Sequence, residues 1–204
     1  MASRLNQLFQ LAPHSYLERT VLLTDGLTSP ESAALTTSRL VHNIDIDPVN
    51  VRSQARVLGG LHLYSDMHMV SYFVPLTGST LVPKNDPPHR LVFLPEFTNC
   101  RLVVRTDGEN WLRLSLDTGL TAMLPPPETE PSSPYCDSFN YWETVTPDLV
   151  GRIRATAVLT KEKDKPWRFL MQQIVGPTGG EVVRKTFARD LRYPGDPILP
   201  PARA

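Results

Sequence analysis

A β-rich α+β fold, with a β-sandwich-like core and one or two short helices, is what this sequence predicts. Three observations carry the prediction. Short segments rich in Val, Leu, Ile and aromatic residues recur from about residue 39 to residue 187. Turn signals such as Asp107-Gly108 and the 176–180 stretch (GPTGG) separate them. The 204 residues supply one sizeable core, or at most two small ones. We read 1–192 as a single globular domain and the Pro-rich 193–204 as a loosely ordered tail.

Taken in order, residues 3–11 (SRLNQLFQL) put Leu5, Leu8, Phe9 and Leu11 near one helical face, with Ser3 as its cap. Residues 16–25 (YLERTVLLTD) read as a strand ending at the Asp25-Gly26 turn. Ser29-Pro30-Glu31 can start a short helix, because proline is tolerated in a first turn. Strands follow over 39–47, 56–64 and 69–76; the pair Gly59-Gly60 marks a bulge or bend. Residues 77–90 form a polar, Pro-rich connection, and 91–97 (LVFLPEF) enters the core. The clearest hairpin joins 100–106 (CRLVVRT) to 111–116 (WLRLSL). Prolines over 124–138 exclude a central strand there, so this stretch reads as a long surface loop. Strands over 152–160 and 167–175 flank a charged, solvated turn at Lys161–Pro166, and 181–187 is the last strand. Trp111 and Trp167, each at a strand start, read as core anchors.

Composition narrows the function classes. A 41% hydrophobic and 21% charged chain is ordinary for a folded protein and excludes wholesale disorder. The 21 basic and 21 acidic residues balance, which argues against a nucleic-acid partner. No run of roughly 18 apolar residues is present to cross a membrane, and residues 1–15 hold no signal-peptide core. Those features describe a soluble protein. Neither CxxC nor HExxH occurs, so no metal and no cofactor is expected. Whether Cys100 and Cys136 pair depends on geometry and stays open.

Four features carry possible chemistry. Cys100 stands at a loop-to-strand junction, after Pro95-Glu96-Phe97-Thr98-Asn99. A thiolate there needs a lowered pKa, and the strand start can leave N–H groups aimed at an oxyanion. The plainer reading is a buried Cys acting as a small hydrophobe. His89 sits in a loop that can fold back to serve as base. His62 and His68 stand in or next to strands, and Asp66/His68 and His42/Asp45 are neighbours of the kind that orient an imidazole. Phe139, Tyr141 and Trp142 form an aromatic cluster that suits a protein-binding surface, or a lid packed on the core edge.

The stretch 93–117 (FLPEFTNCRLVVRTDGENWLRLSLD) resembles the glutamine deamidases of the cytotoxic necrotising factor and Burkholderia lethal factor type. In that family a Cys begins a strand and a His on the next strand acts as base. Cys100 and its hairpin match that layout. A second echo is 155–173 (ATAVLTKEKDKPWRFLMQQ), an Ala-rich strand, a charged turn and a Trp-x-Phe strand. The resemblance implies a sandwich fold of bacterial toxins and effectors, and a thiol-dependent protein glutamine deamidase with Cys100 as nucleophile. Where the family places its His, this chain reads Trp111-Leu112-Arg113-Leu114-Ser115-Leu116, with Ser115 near the expected base position. Neither Ser115 nor Arg113 accepts a proton at neutral pH. A nucleophile without a base is incomplete, so the expectation is a degenerate, non-catalytic relative that binds a protein partner. The alternative is an active deamidase that draws its base from outside the hairpin. The family context implies a cytoplasmic protein of the producing cell, exported as an effector without a cleaved signal.

Overall fold

Helices come first in the chain. The computed structural model describes residues 2–24, 27, 41–49, 53–60, 69–123, 135–149 and 151–193. Helix α1 (Ala2–Leu11) starts one residue ahead of the expected Ser3 cap, and α2 (Pro13–Arg19) follows after Ala12. Most of α2 falls where the sequence suggested a strand from Tyr16. Pro13 sits in the first turn, where its missing N–H costs no hydrogen bond, and the turn closes through Tyr16 N–H to the Ala12 carbonyl at 2.9 Å. Tyr16 and Leu17 then face inward beside Phe9. Only the apolar triplet Val21–Leu23 remains extended, as β1. The helix expected at Ser29-Pro30-Glu31 lies outside the described residues.

Among the described residues eleven more strands follow: β2 (Val41–Pro48), β3 (Gln54–Gly60), β4 (Met69–Phe73), β5 (Ser79–Pro83), β6 (Leu91–Phe93), β7 (Cys100–Asp107), β8 (Trp111–Thr118), β9 (Tyr135–Asn140), β10 (Ile153–Lys161), β11 (Trp167–Val175) and β12 (Val182–Asp190). A one-turn helix α3 (Leu120–Met123) follows β8, and short 3-10 turns cover Tyr141–Thr144 and Pro147–Leu149. The strands form an eight-stranded sheet, ordered β1-β3-β2-β4-β6-β10-β11-β12, and a four-stranded sheet, ordered β5-β8-β7-β9. The β-rich α+β, sandwich-like class expected from the pattern is the class observed.

Side-chain alternation explains how the layers stack. Ala155, Ala157 and Leu159 of β10, with Trp167, Phe169 and Met171 of β11, meet Leu102, Val104, Leu112, Leu114 and Leu116 of the small sheet in one core. The opposite face of the same strands, Val158 and Leu170, packs with Phe93, Phe73 and Ile44 beneath Phe9, Tyr16 and Leu17 of the helices. Two residues stitch α2 and β1 to this second face. Thr156 Oγ1 donates to the Leu22 carbonyl at 2.7 Å. The buried Gln172 amide accepts from Leu22 N–H at 2.9 Å and donates to the carbonyls of Thr20, at 2.7 Å, and Leu17.

Two loops expected to lack strands contain them. β5 forms inside the 77–90 connection and pairs with β8 from Ser79↔Ser115 to Pro83↔Trp111. Thr80 and Val82 alternate inward, and Pro83 is tolerated because β5 is an edge. β9 begins inside the 124–138 stretch and forms the other edge, against β7. Residue 193 also departs from the expected loose tail. The Tyr193 hydroxyl accepts from Trp167 N–H at 3.0 Å, and Lys84 Nζ lies 4.8 Å from its ring centroid. Trp167 is a core anchor as expected, fully buried, with Nε1 donating to the Pro83 carbonyl at 2.9 Å. Trp111 is only half-buried, on the outward side of β8.

Candidate functional site: the Cys100 hairpin and a cationic cleft

The expected hairpin forms, in the register Cys100↔Thr118 through Asp107↔Trp111, around Gly108 at φ +69°. The chain enters it through a tight turn at Thr98-Asn99, with Asn99 at φ +60°. That turn spends the groups a nucleophilic site would need. Cys100 N–H donates to the Phe97 carbonyl at 3.2 Å, so it is not aimed at an incoming oxyanion. The thiol itself is 3% exposed and is shared between the carbonyls of Thr98, at 3.5 Å, and Glu96, at 3.7 Å. Burial first, and then the Glu96 carboxylate, push its pKa up to about 11. Both influences favour the protonated thiol.

Among the described residues, none of the expected partners meets it. Cys100 lies on the inward face with Leu102 and Val104, whereas Ser115 alternates outward between Leu114 and Leu116. The pleat therefore turns the Ser115 hydroxyl to the opposite side of the sheet from the sulfur. Arg113, also outward, reaches the Ser79 hydroxyl at 3.0 Å and pairs with Asp107. The half-buried His89 packs edge-on against Tyr72, with ring centroids 5.5 Å apart, and burial lowers its pKa. His62, His68 and Asp66, together with the His42 side chain, lie outside the described residues. Asp45 is engaged by Asn6 Nδ2 at 2.7 Å. Cys100 and Cys136 are both unbridged thiols.

The aromatic cluster is structural rather than presented. Phe139 stacks on Phe169 at 4.2 Å, beneath the Arg189 guanidinium at 4.1 Å. Tyr141 is buried and donates to the Ile153 carbonyl at 2.8 Å. Trp142 is half-buried, edge-on to Tyr141, with its enclosed Nε1 unpartnered among the described residues. These residues close the rim of the core, and Phe139 and Tyr141 offer no surface to a partner. The reason is the strand β9, whose pleat sends Phe139 inward.

A different concavity is open to solvent. A cleft of about 770 Å³ lies among α1, the start of α2, β4, the loop into β6 and the β10–β11 turn. Pairing of Thr160 with Leu91, extended by Lys161 N–H to the Arg90 carbonyl at 2.9 Å, brings Arg90 beside the basic end of β10. Lys161 is 7% exposed and its Nζ donates to the Lys165 carbonyl across the turn. Burial lowers its pKa, while Asp86 and Asp164 oppose that effect. Glu162 is engaged by Lys165. The α1 side carries Gln7, Gln10 and Leu11, and Val70 lines the cleft from β4, the strand paired with β6. His89 lines this cleft, and Cys100 and Ser115 do not.

Sequence reasoning took Lys161–Lys165 for a solvated turn and left Arg90 unremarked. The clue was the charge run itself, but its partner across the sheet is visible only from the β6–β10 register. Among the described residues no group of three His, Cys, Asp or Glu side chains is placed to hold a metal ion. No helix among them is long and apolar enough to cross a membrane. The class defined by this fold and site is a two-sheet, β-rich α+β protein with a buried cysteine and an open cationic cleft. No protein-family model matches the chain, and no curated protein matches it.

Proposed function

We propose that this chain is a non-catalytic relative of the deamidase-type toxins and effectors, and that it acts by binding a protein partner. The observation that carries the reading is the state of Cys100. A thiol 3% exposed, shared between two backbone carbonyls and beside a carboxylate, is stabilised as a thiol. Nucleophilic attack needs the thiolate, a base and oxyanion donors. Here Cys100 N–H is committed to Phe97, and Ser115 points away from the sulfur. Binding needs only a formed surface, and the cleft beside Arg90 and Lys161 supplies one of ordinary ligand-site volume. On this reading the protein is soluble, made in the cytoplasm of the producing cell and exported as an effector.

The alternative, a Cys100-dependent glutamine deamidase, makes the opposite prediction in one assay. Wild type and Cys100→Ser are incubated with a glutamine-rich protein mixture, and released ammonia is followed by a coupled enzymatic assay. The expected result is no ammonia above the protein-free control from either form. Release by the wild type that disappears in Cys100→Ser would replace the binding reading with the enzymatic one.

A further inference from the structure

Resting on the binding reading above, we infer that the cleft between α1 and the β10–β11 turn takes an extended segment of a partner protein in which carboxylates alternate with apolar side chains. Its two walls differ in chemistry. On one side the β6–β10 register sets Arg90 against Lys161, and Lys163 continues the same wall. Among the described residues neither Arg90 nor Lys163 has an ion-pair partner, whereas the acid between the lysines, Glu162, is held by Lys165. Asp86, close before Arg90 in the chain, and Asp164 are the other acids that act on this wall, both through Lys161, two against the three cations Arg90, Lys161 and Lys163. The uncompensated charge is therefore positive. The Arg90 guanidinium adds a planar fork suited to a carboxylate.

The α1 side of the cleft is uncharged and sits at the rim. Leu11 there is 82% exposed, and Val70, 38% exposed, lines the cleft from the sheet beside Arg90. Single exposed apolar residues are ordinary, but Leu11 and Val70 line one charged cleft together. Gln7 and Gln10 lie on the α1 side with Leu11 and can donate to and accept from a peptide backbone. Rim-exposed apolar groups cover side chains along a segment and do not enclose a single tail. That arrangement favours an extended acidic peptide over a small amphipathic anion.

The test is fluorescence anisotropy with a fluorescein-labelled decapeptide of alternating Glu and Leu, and a Lys–Leu counterpart as control. Wild-type protein is expected to bind the acidic peptide and not the basic one. The exposed-site double variant Arg90→Glu/Lys163→Glu is expected to weaken binding about tenfold or more, with an unchanged melting temperature. Leu11→Asp is expected to weaken it as well. Absent binding to wild type, equal binding of the two peptides, or undiminished binding by the charge-reversed variant would each overturn the assignment. Displacement by decanoate at the same concentration as by unlabelled peptide would reassign the cleft to small amphipathic anions. The ammonia assay stands apart: Cys100-dependent release ends the non-catalytic reading whatever the peptide does. Failure of the peptide without ammonia release removes only the cleft assignment.

Discussion

Alkylation of Cys100 gives the hairpin reading its most direct quantitative test. In a Cys136→Ser background Cys100 is the one remaining thiol, so iodoacetamide reports on it alone. The thiolate is the reacting species. Raising the pKa from 9.0 to about 11 lowers the thiolate fraction near neutral pH by about a hundredfold, since each pH unit below the pKa is tenfold. Enclosure of the sulfur, at 3% exposure, slows access further. The native protein should therefore react at least about a hundredfold more slowly than the same protein unfolded in urea, measured by intact mass near pH 8. A native rate within about threefold of the unfolded rate would mean an accessible, activated thiol. The proposed inertness of Cys100 would then be wrong.

Four further outcomes follow from the packing. The Cys100 and Tyr16 pKa values are raised by burial, to about 11 and about 12. The unfolded chain loses these protons at lower pH than the folded one, so both groups' stabilisation is complete below about pH 9 and is lost as pH rises through the folded values. For Cys100 the loss is about 3 kcal/mol, and urea unfolding across that range should show a decline that Cys100→Ser flattens. Among the described residues the buried Tyr16 hydroxyl has no partner, so Tyr16→Phe should leave neutral-pH stability unchanged or raise it by up to about 1 kcal/mol. Gln172→Leu strands the Leu22 N–H and the Thr20 carbonyl, and should cost about 2–4 kcal/mol, or roughly 5–15 °C in melting temperature. Gly176 stands at φ +113°, with Gly180 O 2.7 Å from where a Cβ would lie, so Gly176→Ala should cost about 1–3 kcal/mol by thermal melt.

Much of the strand pattern was legible because strands of a buried sheet carry their own signature. The β10–β11 and β7–β8 hairpins stand where the apolar runs and the turn residues put them. Errors cluster at edges and at the helix-to-strand change. β5 hid inside a Pro-rich stretch because an edge strand tolerates Pro83. Residues 16–19 read as extended because Tyr16 and Leu17 are apolar enough for either state, and packing against Phe9 decides for the helix. Such local ambiguity is resolved by tertiary burial rather than by propensity.

The candidate site divides in the same way. The sequence alone established a cysteine at a strand start, a hairpin behind it and no histidine after His89. Alternation along β8 already implied that Ser115 and Leu116 face opposite ways. Only the tertiary structure decided which face is the core, and therefore that Cys100 is enclosed with Leu102 and Val104 while Ser115 looks outward. It also decided that Phe139 and Tyr141 are packed inside, and that Arg90 stands against Lys161. Those residues are far apart in the chain, and strand register alone brings them together. The hydrogen bonds that hold Cys100 as a thiol come from the folded path of residues 96–98, which no residue type in that stretch announces.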